Sequence, residues 1–91
     1  MSKGKIFFIV YYLISMTHNL ILYGTEYCHL CEEAEAILTR AHLSWHGIEI
    51  ADEDALLQRY GTRIPVLRRD DNNAELDWPF DDASVQRFIK L

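Results

Sequence analysis

The chain has 91 residues, a formal charge of -5 and a pI near 5.2, a length that holds one domain with a modest core and no separate functional module. Beyond Lys3 and Lys5 the basic residues (Arg40, Arg59, Arg63, Arg68, Arg69, Arg87, Lys90) are scattered, which argues against nucleic acid as a partner. The only two cysteines, Cys28 and Cys31, are too few for the framework of a small secreted scaffold and point to redox chemistry or metal binding.

Residues 1–16 stand apart. Lys3 and Lys5 precede the apolar run Ile6 to Ile14, which has about half the length a helix needs to span a bilayer. A basic start and a short apolar run also describe a signal peptide, but Ser15-Met16-Thr17 matches a small-x-small cleavage site poorly. Three readings stay open: an extension upstream of a natural start at Met16, a cleaved or membrane-associated segment, and an extra strand on the core. The domain is placed at 17–91. Cytoplasmic residence is expected, with an exported form following if the segment is cleaved.

Leu20 to Tyr23, ending at Gly24, is a continuous apolar run that suits a strand buried on both faces. From Cys31 to about His42, Ala34, Ile37, Leu38 and Ala41 fall at helical spacing while Glu32, Glu33, Glu35 and Arg40 fall elsewhere, predicting an amphipathic helix with an acidic first turn. Trp45 to Ile50 predicts a second strand, with Asp52 as N-cap of a short helix bearing Leu56, Leu57 and Tyr60 and ending at Gly61. Ile64 to Leu67 reads as a strand whose first residues cannot pair normally, because proline lacks a donor. Asp70 to Asn73 is a turn, Ala74 to Trp78 a partner strand, and Asp81 or Asp82 caps a last helix with Val85, Phe88 and Ile89 inward.

The order β-α-β-α-β-β-α defines an α/β fold with a mixed four-stranded sheet flanked by helices. The crossover helix makes the first two strands parallel, and the tight turn makes the last two antiparallel. In such sheets the site lies beyond the carboxyl ends of the parallel strands, where Cys28 follows Tyr23. A thiolate at a helix N-terminus is stabilised by unpaired N–H groups. A second thiol three residues on can then resolve the mixed disulfide that the first one forms. Cys28 is the expected nucleophile, Cys31 the resolving thiol, and His29 either a tuning group or an idle surface side chain. The rival is zinc: Cys28, Cys31, His42 and His46 make Cys-x2-Cys-x10-His-x3-His. A helix from Cys31 to His42 is about 16 Å long, which carries His42 far from the cysteines.

The segments Leu22 to Cys31, Arg63-Ile64-Pro65-Val66 and Trp78-Pro79-Phe80-Asp81 resemble the thioredoxin superfamily, and more closely the glutaredoxin-like proteins of bacteria, over Leu20 to Leu91. The resemblance implies a thioredoxin-like fold, a cis peptide before Pro65, and substrate contacts at Tyr27, at the Ile64 backbone and at Pro65. In glutaredoxins a lysine before the first cysteine binds a glutathione carboxylate, and a Gly-Gly turn precedes the last helix. Here Thr25 stands at the first place and Trp78-Pro79 at the second. Arg63 is a replacement cation or a solvated charge, and Asp81 a γ-glutamyl contact or simply a helix cap. Trp78 either lines the groove or joins Phe80 in closing the core.

The expected activity is thiol-disulfide exchange serving redox homeostasis, with no cofactor or resident metal and with glutathione as a candidate co-substrate. Expected partners are a disulfide-bearing protein and a thiol reductant, glutathione or a thioredoxin-reductase-type system, acting on a monomer. The alternatives are an iron–sulfur module sharing a cluster through Cys28 and glutathione, and a non-catalytic interaction domain.

Overall fold

The computed structural model describes residues 19–91, so every reading of residues 1–16 lies outside the described part. Strand β1 (Leu20–Gly24) leads to helix α1 (His29–Arg40), strand β2 (His46–Glu49), a 3-10 turn (Ile50–Asp52), helix α2 (Asp54–Tyr60), strands β3 (Val66–Arg69) and β4 (Glu75–Asp77), and helix α3 (Asp82–Phe88). The sheet order is β2-β1-β3-β4. β1 pairs parallel with β2, from Ile21 opposite His46 to Gly24 opposite Glu49, and antiparallel with β3, where Tyr23 faces Val66. β3 and β4 are antiparallel, so the predicted fold class and connection senses hold.

Helices cover both faces of the sheet. On one face Leu20, Leu22 and Leu67 meet Ala34, Ile37 and Leu38 of α1 and Val85 and Phe88 of α3, with Phe80 closing the cluster and Trp78 and Ile89 packed at its edge. On the other, Tyr23 and Val66 pack with Ile50 and Tyr60. Tyr23 and Tyr60 stack with centroids 4.1 Å apart and planes 16° from parallel.

The ends of several elements differ from the sequence reading, each for a local reason. α1 starts two residues earlier than expected because Cys28 itself is the N-cap, its sulfur accepting from Cys31 N. It stops in a Schellman pattern, with His42 at φ 59 and bonds from His42 N to Thr39 O and from Leu43 N to Leu38 O. The expected Asp52 cap is displaced. Ile50 is buried within a 3-10 turn, Asp52 ends that turn, and α2 begins after Glu53 with no side-chain cap. On α2, Tyr60 is buried, Leu56 packs at the core edge and Leu57 is 42% exposed. β3 begins two residues late because Pro65 offers no donor and Ile64 N already donates to Tyr60 O.

Candidate active site

Cys28 and Cys31 are joined in a disulfide, with their Cα atoms 5.2 Å apart. The chain reaches Cys28 by leaving β1 at Gly24 and turning through Thr25, Glu26 and Tyr27, the last in the left-handed region at φ 59. That conformation is uncommon for a residue with a side chain and clusters at functional sites. It delivers Cys28 in extended geometry to the start of α1, where Cys31 N–H donates to Cys28 Sγ at 3.1 Å and Glu32 N–H to the Cys28 carbonyl at 3.1 Å. The N-terminal partial charge of the helix and a directed N–H would both favour a thiolate there once the bridge opens. Cys28 is half-buried and Cys31 only 6% exposed, so the two sulfurs differ in access.

The bond before Pro65 is cis, and the bond before Pro79 is cis as well, a feature that the sequence reading of Trp78-Pro79 missed. Pro65 is fully buried. Continuing the Tyr23–Val66 register one step brings Pro65 beside Gly24. A Cβ at Gly24 would in turn stand 3.0 Å from Cys31 Sγ. The proline loop and the cysteine pair thus meet across the end of β1.

The other expected site residues fall as follows. Tyr27 is 97% exposed beside Cys28. Ile64 has its N–H committed to Tyr60 O, and its carbonyl has no donor among the described residues. Arg63 is not a free cation: its Nη2 lies 2.7 Å from both Glu75 and Asp77, and the two bonds push its basicity upward. They tie the loop before Pro65 to β4. Asp81 caps α3 in a reciprocal box: its carboxylate accepts from Ser84 N–H at 2.8 Å, and Ser84 Oγ accepts from Asp81 N–H at 2.8 Å. Bonds from the Ser84 N–H and hydroxyl to its carboxylate hold the carboxyl below the usual aspartate range. His29 pairs with Glu33 at 3.0 Å on an exposed helix face.

His42 ends α1, and His46 sits opposite Ile21 at the far end of the β1–β2 ladder from Gly24. Among the described residues no group of three or more His, Cys, Asp or Glu is gathered to hold a metal. Nor is any described helix long and apolar enough to cross a membrane.

Two residues escaped the sequence reading. Leu30, 43% exposed on the first turn of α1, adds an apolar contact beside Tyr27; its place between the cysteines was the available signal. Glu49 accepts hydrogen bonds from the loop that carries the cysteines, a long-range relation with no local signature. A groove of about 290 Å³ opens between α1 and β2, with Cys31 and Glu35 on one wall and Gly47 and Glu49 on the other.

A mixed four-stranded sheet with helices on both faces and a Cys-x-x-Cys disulfide at the start of the first helix defines a thioredoxin-like α/β domain. Within that class the chain belongs to the family described as "Glutaredoxin-like domain (DUF836)", which matches residues 19–90. It is similar to the structural-genomics target protein XcR50 from X. campestris. The X-ray structure of that protein gives a TM-score of 0.73 at 40% identity over 78% of this chain and 95% of that one. Protein Ne2328 from Nitrosomonas europaea, solved by NMR, gives 0.69 at 30% identity over 78% and 89%. No curated protein matches the chain.

Proposed function

We propose that the protein is a thiol-disulfide oxidoreductase in which Cys28 attacks and Cys31 resolves. The observation that carries this reading is the unequal pair at the helix start: a half-buried Cys28 sulfur held by Cys31 N–H, backed by a buried Cys31 sulfur. In the reductive direction the Cys28 thiolate attacks one sulfur of a substrate disulfide. A new S–S bond forms, the substrate S–S bond breaks, and the departing thiolate takes a proton. Cys31 then gives up its proton and attacks Cys28 Sγ, releasing the second substrate thiolate and leaving the Cys28–Cys31 disulfide. Two electrons have passed from the dithiol to the substrate, and an external thiol such as glutathione, or a thioredoxin-reductase-type system, returns them by the reverse exchange.

Exposed Tyr27 and Leu30 beside Cys28 offer an apolar contact for a protein disulfide, and the open Ile64 carbonyl offers one acceptor for an added strand. Arg63 and Asp81 act through the structure, bracing the Pro65 loop and α3, rather than by holding a glutathione carboxylate and the γ-glutamyl end respectively. A protein disulfide therefore fits the site better than glutathione recognised through those charges, and a reducing cytoplasm suits such a reductase. Cys28→Ser abolishes reduction of a protein disulfide such as insulin, and Cys31→Ser accumulates a mixed disulfide visible as a mass adduct. Undiminished turnover in Cys28→Ser would sink the assignment.

A further inference from the structure

Among the described residues, few contacts hold the loop between β1 and Cys28. Tyr27 projects into solvent, Glu26 is exposed, and Tyr27 takes a left-handed backbone. Among the described residues, one carboxylate from another strand fastens the loop. Glu49 stands opposite Gly24 in the last pair of the β1–β2 ladder. Its Oε1 accepts from Glu26 N–H at 3.1 Å and its Oε2 from Ala51 N–H at 3.0 Å. The Thr25 hydroxyl, ahead of the Ala51 and Glu26 amides, holds the Glu49 carboxyl below the ordinary glutamate range. Two backbone donors from two segments thus converge on one side chain where the paired strands end. Thr25, which stands where glutaredoxins carry a lysine, is engaged by this brace.

We propose that Glu49 is a positioning residue for disulfide exchange: its carboxylate locks the Thr25–Tyr27 loop to the end of β2 and thereby keeps Cys28 at the N-cap of α1. The proposal rests on the reading of Cys28 as the nucleophile. Thiolate stabilisation at a helix start falls off within the first turn, so a loop that can drift takes the sulfur out of register with Cys31 N–H. Bracing and charge act in opposite senses. A fixed loop favours the Cys28 thiolate, whereas a nearby negative charge disfavours it. Variants that change one without the other separate the two effects.

The test is the pH profile of iodoacetamide alkylation of Cys28 in the reduced full-length chain, on a Cys31→Ser background so that one thiol reacts. Glu49→Gln keeps the reach but loses the charge and turns an amide donor toward a backbone N–H. Glu49→Asp keeps the charge and withdraws it by one methylene, and Thr25→Val removes the hydroxyl alone. Glu49→Gln is expected to move the profile to higher pH, slowing alkylation near neutral pH about three- to tenfold. Thr25→Val follows by less, and Glu49→Asp lies between Glu49→Gln and the parent. A profile moved to lower pH in Glu49→Gln with Glu49→Asp unchanged means that only charge matters and overturns the proposal, as do three unchanged profiles. If Glu49→Gln does not fold, Thr25→Val and Glu49→Asp decide by the same criterion. Insulin reduction by the wild-type chain is run beside them: its absence counts against the exchange reading, while the alkylation profiles still decide the role of Glu49.

Discussion

Gly24 and Cys31 share a contact that only glycine permits without adjustment, since a Cβ at Gly24 would lie 3.0 Å from Cys31 Sγ and 3.5 Å from its Cβ. The end of β1 is therefore shaped around the buried sulfur. Gly24→Ala should press on Cys31 most in the disulfide, where Sγ is fixed by its bond, and less in the dithiol, where the side chain can rotate. Overpacking of this kind costs about 1 kcal/mol at its lower end, equivalent to roughly 20 mV for a two-electron couple. The reduction potential should rise by about that amount in glutathione redox buffers, and an unchanged or lower potential would show that the contact carries no weight.

Three carboxylates make the fold acid-sensitive. Glu49 and Asp81 are held below their ordinary values, near 4.5 and 3.8, by hydrogen bonds from Thr25 and from Ser84 respectively. For Glu75, burial pushes upward, but the bonds from Arg63 and Tyr60 outweigh it and the net direction is down from 4.5. A depressed folded value contributes stability that is complete above the unfolded value and is lost as pH falls through the folded one. Thermal midpoints should thus hold steady down to about pH 5 and decline below it. Glu75→Gln should flatten part of that decline, and a midpoint that rises on acidification would contradict the sign.

Much of this was legible because the strongest signals are local. The apolar run at Leu20 to Tyr23 and the helical spacing of Ala34, Ile37 and Leu38 fixed β1 and α1, and the turn at Asp70 to Asn73 fixed the last hairpin. The failures are places where tertiary contacts outvote neighbours in sequence. Ile50 is buried in a 3-10 turn, which moves the start of α2 past Asp52. Arg63 reads as a loose charge until β4 brings Glu75 and Asp77 to it. Glu49 reaches Glu26 across 23 positions of sequence, and no periodicity announces such a bond.

Arg63 offers a way to tell bracing from substrate recognition. Lysine keeps the charge, but its ammonium is carried on a shorter side chain and gives up the bond to the Arg59 carbonyl and the guanidinium's place over the Tyr60 ring. If Arg63 braces the Pro65 loop, Arg63→Lys and Arg63→Ala should lower kcat/KM alike for a protein disulfide and for oxidised glutathione, by about threefold to tenfold. If it instead gripped a substrate carboxylate, Arg63→Lys would keep most of the glutathione activity and Arg63→Ala would raise KM for glutathione alone.

Arg69 is the buried cation of the described residues, 5% exposed, and it ties the C-terminal end of the chain to the sheet. Its Nη1 donates to the carbonyls of Phe88 at 3.0 Å and Leu91 at 2.9 Å, while Nε and Nη2 form a two-pronged pair with Asp71 at 3.0 and 2.6 Å. Phe88 O also takes a 3.4 Å bond from Leu91 N–H, so this guanidinium reinforces the end of α3 and joins the β3–β4 turn to the last helix. In Arg69→Met the side-chain volume is roughly kept and every one of those donors is lost. Amide exchange should then quicken first across Val85 to Leu91, with β1 and α1 retaining their protection. Uniform loss of protection throughout the domain would mean instead that α3 unfolds only with the whole, and that Arg69 has no local role at its end.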